Sequence, residues 1–201
     1  MRSCLRIILF LLLLGFNAWV MASITPSMRI KQTVDEVLKV LQNEDLDRQQ
    51  RRDMVRIIVR PRFDYRAMSQ LVLAQNWKKS SAEQQDQFVV LFRELLERTY
   101  FSAMDSYTGQ TVRMGRERLD DKRAMVQTFI NASNKEVPVN YKLRLKKGDW
   151  YTYDVTVDGV SLVSNYRTSF KSLVRDRGMD GLLDELKLKV DKLGKSDSES
   201  K

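Results

Sequence analysis

The sequence predicts an α+β domain in which a twisted antiparallel sheet of four strands packs against several helices. Three observations lead there. From Met28 to Met104 the apolar residues recur at helical spacing. From Thr111 the period changes to alternation, in four runs separated by turn residues. After Asp158-Gly159 the helical period returns. The 201 residues suit one such domain with an export leader.

In chain order, Met28 to Gln42 carries Ile30, Val34, Val37, Leu38 and Leu41 on one helix face. Asp45 or Asp47 can cap the next helix, Gln49 to Arg60, which Pro61 stops. Its Arg48, Arg51, Arg52, Arg56 and Arg60 read as a solvated face or a docking face. Asp64 caps a short helix with Met68, Leu71 and Val72 on its buried side, and Trp77 falls in the turn behind it. Ser80 and Glu83 predict a capping box for a helix from about Ala82 to Met104. Its stripe of Phe88, Leu91, Phe92, Leu95, Leu96 and Tyr100 is wide, so the helix is largely buried, either in a solid core or along a cavity for an apolar ligand.

The predicted strands are Thr111 to Glu117, Arg123 to Asn131, Val137 to Lys146 and Asp149 to Val157, with turns at Asp120-Asp121, Ser133-Asn134 and Lys147-Gly148-Asp149. On the third, Val137, Val139, Tyr141, Leu143 and Leu145 share a face opposite Asn140, Lys142, Arg144 and Lys146. The fourth alternates Tyr151, Tyr153, Val155 and Val157 with Trp150, Thr152, Asp154 and Thr156, and neither face is fully polar. Two helices follow, Leu162 to Arg177 and Gly181 to Leu193, with Gly178 ending the first and Asp180 capping the second. Residues 194–201 are small, polar and charged, and read as a disordered tail.

The first 22 residues read as a cleavable signal peptide, with basic Arg2 and Arg6, an apolar run from Ile7 to Phe16, and a small-residue site at Val20-Met21-Ala22. That run is shorter than the roughly 20 apolar residues of a membrane span. Cys4 precedes the apolar run and leaves with the leader. Residues 23–193 are then a single domain of an exported chain without cysteine, which excludes disulfides and thiolate metal sites. There is no histidine, which removes Ser-His-Asp and Cys-His catalysis and His-ligated zinc. The net charge of +9 falls to +7 once Arg2 and Arg6 leave, so an acidic partner or anionic lipid suits the chain, and export sets nucleic acid aside. Gly194-Lys195-Ser196 is no phosphate loop, because position 189 is Lys where that motif needs Gly.

Two constellations remain. Asp154 near Tyr141 or Tyr166 resembles the general base and donor of a carbonyl isomerase on a cone-like fold. The reading that outweighs it is a buried carboxylate accepting hydrogen bonds from Ser161, Asn165 or nearby backbone at the turn. The other constellation is apolar. Val139, Tyr141, Val155 and Val157 on a curved sheet can face Met68, Leu71, Leu95 and Tyr100 on helices, with Tyr166 and Arg167 at the rim. Such a wall can be solid core or can enclose lipid tails. A soluble lipid carrier must enclose them, because exposing roughly 30 methylenes costs on the order of 25 kcal/mol at about 0.8 kcal/mol each.

The stretch Tyr153-Asp154-Val155-Thr156-Val157-Asp158-Gly159-Val160-Ser161-Leu162-Val163-Ser164-Asn165-Tyr166-Arg167 resembles the signature of the MlaC family of periplasmic phospholipid shuttles. So do Arg62-Phe63-Asp64-Tyr65-Arg66-Ala67-Met68-Ser69 with Trp77, Gln84-Gln85-Asp86-Gln87-Phe88, Leu91-Phe92, Leu95-Leu96 and Thr99-Tyr100. Val137-Pro138-Val139-Asn140-Tyr141, Phe170 and Gly178 to Leu186 extend the likeness over nearly all of the mature chain. The family's leucine-glycine ahead of the Trp is Val72-Leu73-Ala74 here, a departure with no cost visible in the sequence.

The resemblance implies a twisted sheet and helices around an apolar lipid cavity. It implies a diacyl glycerophospholipid as cargo, no cofactor and no catalysis. The implied partners are an inner-membrane ABC transporter complex, met through its MlaD ring, and an outer-membrane MlaA–porin complex. The implied outcome is lipid asymmetry of the outer membrane. The alternatives are a small-molecule enzyme with Asp154 as base, and a purely structural interaction domain.

Overall fold

The computed structural model describes residues 24–132 and 135–199. The expected signal peptide with Cys4, and the Ser133-Asn134 turn, lie outside them.

Helix α1, Pro26–Leu41, begins on Thr25, whose hydroxyl accepts from the Met28 N–H. Helix α2, Arg48–Val59, begins on Asp47 in a reciprocal capping box with Gln50. A 3₁₀ turn, Arg60–Arg62, leads to α3, Tyr65–Leu73, which Asp64 caps as predicted. Trp77 lies inside a short helix α4, Gln75–Lys79, rather than in a turn. Helix α5 runs Ala82–Phe101, and its capping box is Ser81 with Gln84, one residue beyond the predicted pair. Ser80 is unavailable because it closes α4, with its N–H and hydroxyl both donating to the Asn76 carbonyl.

The sheet comprises β1 (Thr111–Asp120), β2 (Arg123–Ala132), β3 (Lys135–Lys146), β4 (Asp149–Val157) and β5 (Val160–Ser161) in that spatial order, every pair antiparallel. The fifth strand was not predicted. Asp158 and Gly159, both at positive φ, turn the chain so tightly that Val160 and Ser161 pair back on β4 before the helix starts. At the far end of β4, Phe63 bridges Thr152, and the Asp64 N–H donates to the Thr152 carbonyl at 2.8 Å. The start of α3 is thereby anchored to the sheet.

Helix α6, Leu162–Glu199, is broken at Gly178, whose φ of 70° suits glycine. Asp180 accepts from the Gln84 side chain at 2.6 Å, tying α6 to α5. The helix continues through Gly194 to Glu199, across the segment expected to be a disordered tail. Gly194 lies so close to Arg98 of α5 that a Cβ would stand 2.7 Å from the guanidinium, so the helix is still packed on α5 at this point.

Ala74, between α3 and α4, has φ 51° and ψ −119°. This is a backbone region almost confined to glycine. The departure from the family's leucine-glycine therefore carries a conformational cost, invisible in the sequence because Ala is ordinary in any other backbone.

The buried apolar residues fall into three clusters. One is helical, built on Met68, Phe88, Phe92, Leu95, Phe170, Leu182 and Leu186 of α3, α5 and α6. A second joins Ile30 of α1 to Ala124, Val126, Leu143 and Trp150 of the sheet. A third gathers Val40, Val55 and Phe101 where α1, α2 and α5 meet.

Candidate functional site

Between these clusters lies a cavity of about 540 Å³, within the range of roughly 300–1,000 Å³ usual for small-molecule sites. One wall is α1. Its whole predicted stripe, Ile30, Val34, Val37, Leu38 and Leu41, faces the space, and from Arg29 to Leu41 that wall runs about 18 Å at 1.5 Å per residue. Met68 of α3 and Leu96, Tyr100 and Phe101 of α5 face it from the helical half.

The sheet supplies Val139 and Tyr141 from β3, and Trp150, Thr152, Val155 and Val157 from β4. In a regular strand Thr152 and Val155 would point to opposite faces. They share one because β4 is bulged. Lys142 pairs with Asp154 and the next residue, Leu143, pairs with Thr152, leaving Tyr153 as the extra residue. Before the bulge the even-numbered side chains line the cavity, and after it the odd-numbered ones do. The choice between the two faces of this strand thus has a double answer.

The polar groups of the lining are few. Arg29 grips Asp149 through Nε and Nη2, each at 2.8 Å, and Arg62 approaches the same carboxylate at 3.8 Å. Arg29 and Arg62 are the cationic side chains of the lining, and the buried Nε of Arg62 has no hydrogen-bond partner among the described residues. Glu97, only 4 % exposed, accepts from Arg56 at 3.2 Å and from both Nε and Nη2 of Arg60 at 2.7 Å, which ties α5 to α2 and the turn beyond it. Burial, with Glu97 close by, pushes the Tyr65 phenol up. Burial likewise pushes Tyr141 up. Tyr100 is pushed up to about 12 by burial, with Tyr166 beside it as the second cause. These phenols stay neutral, which suits an apolar lining. Among the described residues no group of acidic side chains is arranged to hold a metal ion.

Of the residues expected to face an apolar ligand, Met68, Tyr100, Val139, Tyr141, Val155 and Val157 line the cavity. Leu95 does not. It lies with Phe88 and Phe92 at helical spacing in the solid core against α6, and its neighbour Leu96 faces the cavity instead. Leu71, three residues from Met68, turns outward and is 37 % exposed. Tyr166 is one residue removed from the cavity, packed edge-on against Phe92 at 5.2 Å between ring centres. Arg167 points elsewhere, its Nε donating to the Leu71 carbonyl at 2.7 Å. The α1 stripe and Leu96 were legible as apolar faces but carried no sign of what they face.

Asp154 is turned off the cavity. It accepts from the Ser161 hydroxyl at 3.0 and 2.9 Å, from the Val163 N–H at 3.2 Å and from Lys142 at 3.1 Å. This is a carboxylate capping the start of α6, not one placed to act on a molecule in the cavity. The family model described as MlaC protein matches residues 31–188. The chain belongs to the MlaC family. It is 25 % identical over 175 residues to the intermembrane phospholipid transport system binding protein MlaC of Haemophilus influenzae, covering 82 % of each chain. It is 28 % identical over 187 residues to toluene tolerance protein ttg2D of Pseudomonas putida, covering 90 % of this chain and 87 % of the relative. Its fold matches a phospholipid-binding protein from Ralstonia solanacearum, solved in complex with a phospholipid, with a TM-score of 0.77 and 27 % identity over 84 % of this chain and 98 % of that one. As an MlaC family chain, it carries the open antiparallel sheet and helices expected, with five strands where four were predicted. No helix among the described residues is long and apolar enough to cross a membrane.

Proposed function

We propose that this protein is a periplasmic phospholipid carrier, exported by its first 22 residues, that holds the acyl tails of one diacyl glycerophospholipid in the cavity. The observation that carries the reading is the cavity itself. An apolar space of about 540 Å³ stands where three core clusters would otherwise meet, and the apolar stripe of α1, packed on protein only in part, lines that space along its whole length. A helix gains stability from its apolar face only if something covers it, and acyl chains supply that cover. The Ralstonia relative, solved with a phospholipid, supports the same cargo.

In this reading Met68, Tyr100, Val139, Tyr141, Val155 and Val157 contact the tails together with the α1 stripe. The phosphate lies at the Arg29–Arg62 end, where two guanidiniums share the Asp149 carboxylate and one positive charge is left over. Lipid is exchanged with an inner-membrane ABC transporter complex through MlaD and with an outer-membrane MlaA–porin complex, and the net effect is outer-membrane lipid asymmetry. Membership of the family supports these partners. No catalytic step is assigned. Organic extraction of protein purified from bacteria, followed by mass spectrometry, is expected to yield one diacyl phospholipid per chain. Protein that is folded and monodisperse yet free of lipid overturns the reading.

A further inference from the structure

Arg167 belongs to the signature stretch yet takes no part in the cavity. Its Nε is held by the Leu71 carbonyl, which lays the side chain across α3 at the edge of a second cleft of about 620 Å³ between the α3–α4 junction and α6. This cleft shares no lining residue with the cavity. Arg167, Lys171 and Arg175 stand four residues apart on α6, forming one row about 12 Å long, and Lys79 of α4 adds a fourth cation. Among the described residues no carboxylate lines the cleft. Arg175 is engaged by its neighbour Asp176 at 2.8 Å, whereas Lys79 and Lys171 have no ion pair among the described residues. Beneath the row, Phe170 and Val174 give the cleft an apolar floor.

Like charges at four-residue spacing on a helix repel and weaken it. Apart from Arg175, held by Asp176, these cations have no counter-charge among the described residues, so the cleft is complementary to an external anion. The concavity and apolar floor decide which kind. A bilayer surface is planar and meets protruding cations, leaving such a floor empty. A polypeptide can insert a side chain between its carboxylates. We infer that this cleft docks an acidic segment of a partner protein, with carboxylates meeting Arg167, Lys171 and Lys79 and an apolar side chain resting on Phe170 and Val174. Its charge-dependent contact sets encounter and register, while the cargo stays in the separate cavity.

The test uses a synthetic amphipathic peptide with glutamate at every fourth position and leucines between, titrated into the mature chain near physiological ionic strength. Amide resonance shifts are expected to centre on Lys79, Arg167, Phe170 and Lys171. The double variant Lys79→Glu, Lys171→Glu, which alters two exposed side chains, is expected to weaken binding at least about ten-fold, or ~1.4 kcal/mol. The control Arg118→Glu, Lys122→Glu makes the same charge change at the exposed β1–β2 turn and is expected to leave affinity within about two-fold. Lipid recovered by extraction is expected to be unchanged in both, so loss of the cleft and loss of the cavity read out separately. Should the double variant be unfolded by circular dichroism, Lys171→Ala replaces it, with a several-fold loss expected. Equal weakening by the control, shifts centred elsewhere, or binding of phosphatidylglycerol vesicles through these lysines without peptide binding overturns the inference.

Discussion

Tyr141 and Val155 face each other across β3 and β4, and both line the cavity. That pairing exists only because the bulge at Tyr153 has already reversed the phase of β4. Adjacent residues past the bulge should therefore respond differently to the same charge. Val155→Asp places an unpaired carboxylate in an apolar, water-poor space, at a cost of several kcal/mol. Thr156→Asp places it on the other face. Co-purified phospholipid is expected to fall at least ten-fold in the first variant and to stay near wild type in the second, measured by extraction and mass spectrometry. Equal lipid content in the two variants contradicts the assignment of faces.

Ala74 sits in a conformation that favours glycine. Strain of this kind costs on the order of 1–3 kcal/mol, and glycine gives back part of the relief through its freer unfolded chain. Ala74→Gly is expected to stabilise the protein by about 1 kcal/mol in urea denaturation, against the usual destabilising effect of glycine. A loss of stability would show that the surrounding chain does not hold this residue at positive φ.

The bidentate contact of Arg29 with Asp149 fastens the start of α1 to the β3–β4 turn. Both side chains are partly shielded, at 15 % and 27 % exposure. A double-mutant cycle with Arg29→Ala and Asp149→Ala is expected to give a coupling of roughly 1 kcal/mol, above the usual exposed pair because the geometry is a two-pronged fork. Amide exchange in α1 is expected to speed up in either single variant. A coupling of zero would mean that the stripe against the cavity, and not this clamp, holds the helix.

Asp64 links three elements. Its carboxylate accepts from the Ala67 N–H at 3.0 Å, from Lys146 at 3.0 Å and from Arg144, while its own N–H donates into β4. Burial alone would raise its pKa, but the Ala67 N–H, Lys146 and Arg144 together outweigh burial and hold it below the ordinary carboxylate value of 3.8. A folded value below the unfolded one adds stability that is fully present above about pH 4 and is lost as the pH falls through the folded value. Asp64→Asn is expected to cost about 2 kcal/mol near neutrality. The difference from wild type should shrink on acidification below 3.8. A difference that stays constant with pH would assign the residue's role to its helix-capping geometry alone.

Much of the fold follows from local sequence. Asp47 and Asp64 cap helices where their spacing says they should, the break at Gly178 falls where a glycine follows a helical run, and four strand runs became four strands because alternation, turn glycines and β-branched residues agree. The apolar stripe of α1 was complete in the sequence, residue for residue. Where local rules failed, a neighbour in space intervened. Ser80 was committed to closing α4, and Gly194, the first residue of the polar last stretch, packs on Arg98.

The sequence by itself determined most of the elements, their apolar faces, the absence of histidine and the family signature. Only the tertiary structure decided which apolar faces meet protein and which meet space. Leu95 and Leu96 are chemically identical and adjacent, yet one helical step of about 100° separates solid core from cavity wall. Thr152 and Val155 share a face through one inserted residue, and Arg167 left the expected rim for a different cleft because a carbonyl of another helix holds it. Core packing and cavity lining call for the same side chains, so the difference between them belongs to the distances between elements and not to any stretch of the chain.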